Sequence, residues 1–485
     1  MMHRWKSALI TAFIILILCG NALSQAPDTA WTKNYHRGGY DCATSIRQTA
    51  DDGFIIVGTS QMIDDDYSQI YLVKTDQCGG TMWTKVLGEQ VDHEANCVQV
   101  DPNGGYVIGG SKLVSSDTLE YAYIIKTDDN GDTVWTYLFG GSWGTYVNYI
   151  TCTPDSGYIF TGRRYNPGRF MDVFVHKIDV NGDSVWARFY GGDDYDQGNC
   201  VEPTAESGFV IVGLTWSFGH GMYDYYMIRI NNDGDTLWTR TFGGSSSDKG
   251  YCVKQTADGG FILCGDSNSF IEFAILAVKT DSLGEIEWQQ VFHTGTQGDH
   301  CRSVQQTTDG GYIFGGFSTV QYHSDDYRFI RTDANGDSIW IKAVGDIRSD
   351  RAYCVLQTSD GGYILAGETT TDGADGGDYY VVKLNPHPTG IEANEAVPSS
   401  FLLSQNYPNP FNAITTIRYD LSAPSRVTID IYDLIGRRVE TLICREQPAG
   451  RHQVTWNAEN CSSGIYFYKI QAGELATTKK MILLK

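Results

Sequence analysis

Apolar and polar positions follow one another in short runs along this chain, each run broken by Gly, Asp or Asn, and no segment carries the 3.6-residue period of an amphipathic helix. Around Trp238 the pattern is clear. Residues 238–242 are apolar and β-prone until Gly243-Gly244 breaks them. Residues 251–255 follow, and Ala257-Asp258-Gly259-Gly260 supplies a hairpin turn whose glycines accept positive φ. Residues 261–264 form a near-continuous apolar run, as expected of a strand buried on both faces. After a variable loop, 273–279 makes a fourth run, so four strands are predicted per unit.

The unit recurs. Tryptophans stand at 31, 83, 135, 186, 238, 288 and 340, and a basic residue lies nine positions before six of them: Lys74, Lys126, Lys177, Arg229, Lys279 and Arg331. Trp31 lacks the basic residue and Lys383 lacks the Trp, so the two half-copies at the ends complement each other. Gly53, Gly105, Gly157, Gly208, Gly260, Gly311 and Gly362 each precede a Phe or Tyr and move with the Trp. A period of this length signals a propeller or a solenoid. Seven copies with complementary ends predict a seven-bladed β-propeller, closed by pairing 31–35 with 379–384 so that no sheet edge is left at the join. An open solenoid would need polar capping repeats, and none is visible. The predicted fold is all-β: this propeller, followed by a small immunoglobulin-like β-sandwich.

Composition adds class and address. The 58 acidic against 36 basic residues give a net charge of −22, which disfavours nucleic acid and anionic membrane surfaces as partners. Arg4 and Lys6 precede an apolar run over 8–19 that ends in Asn21-Ala22-Leu23-Ser24, the pattern of an export signal cleaved near Ser24. That run is too short to span a bilayer, and no transmembrane segment is expected in the mature chain. The expected division is signal peptide 1–24, propeller 25–385, linker 386–400 and C-terminal module 401–485, in a monomer. Among the cysteines, Cys97, Cys200, Cys252 and Cys354 share one register of the repeat and read as small buried hydrophobes. Cys78, Cys152 and Cys264 show no metal-ligand spacing, while Cys444 and Cys461 could pair with each other.

Candidate chemistry is thin. In three copies the turn before the Trp reads Asp128/Asn130/Asp132, Asp179/Asn181/Asp183 and Asp333/Asn335/Asp337, which could offer oxygens to Ca²⁺, but the bidentate acid is missing and other copies lose the ligands while keeping the glycine and the Trp. An Asx-stabilised turn, acting as the joint between blades, fits better. The recurring basic residue and the recurring Asp41, Asp196, Asp248, Asp299 and Asp350 suggest a structural ion pair in each blade. No catalytic triad, HExxH or phosphate-cradling loop is present, no cofactor is expected, and the near-constant repeat leaves little room for an active-site insertion. Variation concentrates in one loop per unit, on one rim of the ring. It carries Asp64, Asp65, Asp66, Tyr67, Tyr165, Trp216, His220, Tyr223, Asp224, Tyr322, Asp325, Asp326, Asp372 and Asp375, and aromatics beside carboxylates there suit a glycan or protein ligand.

Two resemblances are carried by these residues. The stretches GYCVKQTADGGFILCGDS and LTWSFGHGMYDYYMIRINNDGDTLWTRTFGG are similar to propeller repeats of secreted bacterial proteins, and the turn into the Trp is similar to the tryptophan-docking motif of quinoprotein propellers. The C-terminal module resembles the type A sorting domain of the type IX secretion system. The matching residues are Tyr407-Pro408-Asn409-Pro410, Ile431-Tyr432-Asp433 with Gly436, Trp456, Gly464-Ile465-Tyr466 and Lys480 to Lys485. The resemblance implies export through the periplasm and outer membrane, with the secretion machinery as partner. A related adhesive sandwich shares the YPNPFN opening. The expected function is a non-enzymatic exported binder. The alternatives are an enzyme acting on polysaccharide or using a quinone, with converging groups at the ring axis, and a structural surface protein with no discrete ligand.

Overall fold

A computed structural model describes residues 25–485 apart from 115–118, 141–143, 166–169, 272, 297, 320–323, 346–348, 371–375, 388–400, 407 and 474. The expected export signal, Tyr322, Asp372, Asp375, Tyr407 and most of the expected linker lie outside the described residues. Seven four-stranded antiparallel sheets are followed by a three-stranded and a four-stranded sheet. Six blades are continuous in sequence, spanning 39–87, 93–139, 145–190, 196–242, 248–292 and 298–344. The seventh joins Asp350–Gln357, Tyr363–Thr369 and Asp378–Leu384 to the first strand of the chain, Thr29–Tyr35. Trp31 faces Lys383 in that pairing. The other six basic residues pair in the same way with their own Trp, from Lys74 with Trp83 to Arg331 with Trp340. The closure predicted from the two half-copies is therefore the register seen.

The phase of the repeat differs from the expectation. Each Trp run is the last strand of a blade, and the Asp-x-Asn-Gly-Asp turn is the hairpin between its third and fourth strands. The chain crosses between blades in the loop after the Trp strand, such as Gly243-Gly244. The turn is nonetheless where neighbouring blades touch. A Cβ on Gly131, Gly182, Gly234, Gly284 or Gly336 would strike the indole of the preceding blade's Trp, at 2.7 Å for Gly131 against Trp83. Trp31 meets Gly79 in the same way across the seam, and Trp340 lies parallel to His387. Positive φ at these glycines, such as +79° at Gly131, adds the conformational reason for the residue. This explains why the glycine and Trp persist while the candidate Ca²⁺ ligands vary. The Asp at the head of the turn accepts backbone N–H groups, as Asp128 does from Asn130 and Asp132, both at 2.9 Å.

The ion pairs also differ in partner. Each recurring Lys reaches the Asp of the hairpin between the first two strands: Lys74–Asp51 at 2.8 Å, Lys126–Asp101 at 3.2 Å, Lys177–Asp155 at 2.5 Å, Lys279–Asp258 at 3.0 Å and Lys383–Asp360 at 3.1 Å, with Arg331–Asp309 equivalent. Blade 4 has Glu206-Ser207 in that turn, and Arg229 donates to the carbonyls of Ser207 and Phe209 instead. The aspartates of the other register lie at the opposite end of the first strand. There Asp41, Asp196, Asp248 and Asp299 accept the N–H of Arg37, Gly192, Gly244 and Thr294 at 2.7–2.8 Å, clamping the loop that enters each blade.

In the C-terminal sandwich, one sheet holds Leu402–Leu403, Ile414–Leu421 and Gly450–Asn457, and the other holds Arg438–Gln447, Ser425–Tyr432, Gly464–Ala472 and Leu475–Leu483. Trp456 is buried between Phe411 and Tyr466, and its indole N–H donates to Glu440. The Asn409 side chain accepts the N–H of Ile482, Gln405 donates to the Lys480 carbonyl, and the Lys485 N–H donates to Ser463. Gly436 turns the chain at positive φ, and Gly464 opens a strand. The motif residues thus tie the terminal strand to the opening of the module. Cys444 does not pair with Cys461. It forms a disulfide with Cys78 in blade 1, and Cys461 is a free thiol.

Candidate functional site at the ring axis

The first strand of each blade packs against the first strand of the next, so these seven strands surround the axis. Each carries a β-bulge at the same register, and the bulged residues are Thr44, Asn96, Asn148, Asn199, Tyr251, Arg302 and Tyr353. A bulge inserts a residue without a partner and re-aims its side chain. All seven line one axial cavity of about 510 Å³.

The ring is not symmetric. From blade 1 to blade 4 each side chain bonds a backbone carbonyl of the next blade: Thr44 to Ala95 at 2.7 Å, Asn96 to Val147 at 2.7 Å, Asn148 to Gly198 at 2.8 Å and Asn199 to Gly250 at 2.7 Å. From blade 5 to blade 7 this girdle gives way to Tyr251, Arg302 and Tyr353. The Arg302 guanidinium lies 4.0 Å from the Tyr251 ring centroid, bonds both oxygens of Asp266 at 2.9 Å and also packs on Phe317. His300 stacks on Phe317 and contacts Asp266 at 3.0 Å. Tyr353 donates to Glu368 at 2.9 Å. Burial pushes the Tyr251 hydroxyl up to about 12, against the pull of Arg302. Burial also works against the Asp266 charge, but Arg302 and His300 outweigh it and hold that carboxyl below its usual range.

One to three residues past the bulge, Arg47, Tyr149 and Lys254 line the same cavity. Tyr149, which takes the cysteine register in blade 3, accepts from Arg47 at 3.1 Å and Lys254 at 3.0 Å and donates to Glu202 at 2.9 Å. Lys254 is paired with Glu202. Burial opposes the Lys254 charge, and Glu202 and its other neighbours overcome it and hold its pKa well above the usual value. Burial, reinforced by Glu202, raises the Tyr149 hydroxyl, so the group stays neutral. Cys97, Cys200, Cys252 and Cys354 are buried as expected and bond carbonyls of the next blade, as Cys97 does to Ile150. Among the described residues no cluster of His, Cys, Asp or Glu could hold a metal ion.

The described rim residues predicted from sequence are spread over blades 1, 3, 4 and 6, with Trp216, His220, Tyr223 and Asp224 together in blade 4. Asp64, Asp65, Asp66 and Tyr67 belong to the hairpin between Phe54–Met62 and Gln69–Thr75 of blade 1, and Tyr165 ends a strand of blade 3. In blade 4, Trp216 is 47% exposed and packs on Tyr223 at 5.6 Å, with Lys249 over the Tyr223 ring, while His220 is exposed. Asp224 turns inward and accepts the N–H of His220 at 2.6 Å. Asp325 is buried and bonded to Arg351 at 2.6 Å, and Asp326 is partly buried beside Gly345. Among the described residues the structure brings Trp216 and Tyr223 together and sets Asp224 against the His220 backbone. The axial ring was missed, although its signal was present: the residue before the cysteine register changes from Thr/Asn to Tyr, Arg and Tyr after blade 4.

Residues 405–484 match the family described as a secretion system C-terminal sorting domain. No curated protein matches the chain. Among solved structures, PorZ, a surface component of the type-IX secretion system of Porphyromonas gingivalis, is similar at 11% identity and TM-score 0.42, over 93% of this chain and 60% of that one. A fungal alcohol oxidase in complex with copper is similar at 9% identity and TM-score 0.45, over 95% of this chain and 100% of that one. The polysaccharide lyase Uly1 is similar at 10% identity and TM-score 0.46, over 75% of this chain and 93% of that one. At these scores the similarities say nothing about activity. No helix among the described residues is long and apolar enough to cross a membrane.

Proposed function

We propose that this β-propeller, which its C-terminal sorting domain marks for type IX export to the cell surface or beyond, is a non-enzymatic receptor that binds a saccharide at the ring axis. One observation carries the reading. A seven-fold girdle of bulged side chains is broken over three consecutive blades by Tyr251, Arg302 and Tyr353, beside a cavity lined by Asn96, Asn148, Gln197 and Asn199. Tyrosine rings offer apolar faces to the C–H side of a sugar, and amide oxygens of Asn96 and Asn148, whose N–H groups are given to the next blade, can accept from its hydroxyls. The charged groups near the axis are committed to one another, Arg302 to Asp266 and Lys254 to Glu202 and Tyr149, an arrangement that positions a ligand and supplies no ready general base. The exposed Trp216–Tyr223 pair on the rim favours a second contact, for a longer glycan or for a protein.

A glycan array probed with the mature chain tests this. Binding to a restricted set of glycans, lost in Tyr251→Ala and Tyr353→Ala variants that keep their melting temperature, is the expected result. No glycan bound, or binding untouched by either variant, overturns the axial reading. Turnover of a bound glycan overturns the non-enzymatic one.

A further inference from the structure

The first copy of the repeat departs from its siblings at one turn. Where copies two, three and six have Asn130, Asn181 and Asn335, the first has Cys78, preceded by Gln77. Both residues face the C-terminal sandwich. Their target is the strand Arg438–Gln447, which lies at the end of its four-stranded sheet and therefore has backbone groups on one side that its own sheet does not pair. The Gln77 amide donates to the Thr441 carbonyl of that edge, and Cys78 is bonded to Cys444 three residues on, with a Cα–Cα distance of 5.6 Å.

The same sandwich reaches the other side of the ring closure. Arg426 donates to the carbonyl of Ala30, in the closing strand Thr29–Tyr35, at 2.9 Å. Arg445 lies 3.6 Å from Asp360, the turn carboxylate of blade 7 that also holds Lys383. Burial pushes the Asp360 carboxyl up, but Lys383 and the bonds from Thr358 and Gly362 more than offset it and hold the carboxylate ionised, so it can serve two cations. A cavity of about 370 Å³ lies between the two parts and is lined by Trp31, Asp360, Lys383, Cys444 and Arg445. Contacts thus fall on blade 1, on the closing strand and on blade 7.

We propose that the C-terminal sandwich is latched across the seam of the propeller, with the Cys78–Cys444 bond as the latch. Its docked partner is the seam between blades 1 and 7 of the same chain, and the latch lies against an edge strand of the sandwich that would otherwise be open to pairing. A break anywhere in 388–400 leaves the two parts covalently joined. Release requires thiol–disulfide exchange with a dithiol. One thiolate attacks a sulfur of the bond and expels the other, and the mixed disulfide is then closed by the second thiol of the reagent. Cys78 and Cys444 each end as a thiol, and the dithiol is oxidised by two electrons.

The experiment uses the mature chain with a protease recognition sequence in place of 391–396. It is cut and run under denaturing conditions with and without dithiothreitol. The expected result without reductant is one species at the mass of the whole chain, separating into propeller and sandwich fragments when reductant is added. Cys78→Ser should separate without reductant, and Cys461→Ser should behave as the parent. Fragments that separate from the parent without reductant overturn the latch. So does a Cys461→Ser variant that separates while the parent does not, since Cys461 and not Cys444 would then be bonded to the propeller, and so does a species at twice the mass, since the bond would then lie between chains.

Discussion

Replacing Gly284 by Ala tests how neighbouring blades are held together. Gly284 has φ +78°, and a Cβ there would lie 2.8 Å from two ring carbons of Trp238 and 3.0 Å from the Arg240 side chain. Two costs follow. An L-residue held in the left-handed region loses about 1–2 kcal/mol. Forcing a methyl into a packed contact adds about 1–3 kcal/mol, because the indole must move off the turn it covers. Gly310 provides the matched control, with φ +86° and nothing within 4 Å of its Cβ position, so Gly310→Ala carries the first cost alone. Urea unfolding of the two variants should show Gly284→Ala more destabilised by about 1–3 kcal/mol. In a Trp238→Ala background that difference should shrink, as expected of two groups in contact. Equal destabilisation by Gly284→Ala and Gly310→Ala in the parent background would refute the Trp-on-glycine contact as the joint between blades.

Three further outcomes are expected. Deleting residues 25–35 removes the closing strand, exposes Asp378–Leu384 as an edge, and should produce association in gel filtration together with a large loss of melting temperature; an unchanged melting transition would contradict closure. The turn aspartates should make the ring acid-sensitive. Burial opposes the charge of Asp258, yet bonds from Thr256 and Lys279 lower its pKa from 3.8 to about 2, so its contribution is complete above about pH 4 and lost as pH falls through 2; the stability gap between parent and Asp258→Asn, followed by fluorescence, should close over that window. Removing 401–485 should retain the protein inside the cell envelope, measured by fractionation, and undiminished delivery to surface or medium would contradict the sorting role.

Much of the fold was legible because its determinants are local and repeated. The nine-residue interval from Lys74 to Trp83 is the register of one hairpin, and the half-copies at Trp31 and Lys383 are one hairpin-like pair drawn from the two ends of the chain. The blade phase was not legible, because the period of a repeat does not say which strand comes first; the crossing at Gly243-Gly244 becomes visible only once strands are paired. The Lys partner was misassigned for a related reason. Asp51 and Asp41 occupy opposite ends of strands close in sequence, and only the antiparallel geometry brings Asp51 to Lys74. The axial ring depends on bulges, which shift a side chain by one position against the alternation that guided the reading. Tyr251, Arg302 and Tyr353 therefore looked like ordinary neighbours of a core cysteine. The Cys78–Cys444 bond joins residues 366 positions apart, beyond the reach of any local pattern.

Binding at the asymmetric arc and binding at the rim predict opposite effects of two substitutions. The affinity of the best glycan found on the array is measured by calorimetry for the parent, Tyr251→Ala and Trp216→Ala. Losing the buried face of a ring, about 1.5–3 kcal/mol, should weaken Tyr251→Ala by roughly ten-fold or more and leave Trp216→Ala within about two-fold of the parent. Binding that falls with Trp216→Ala and survives Tyr251→Ala would place the site on the rim and contradict a saccharide site at the axis.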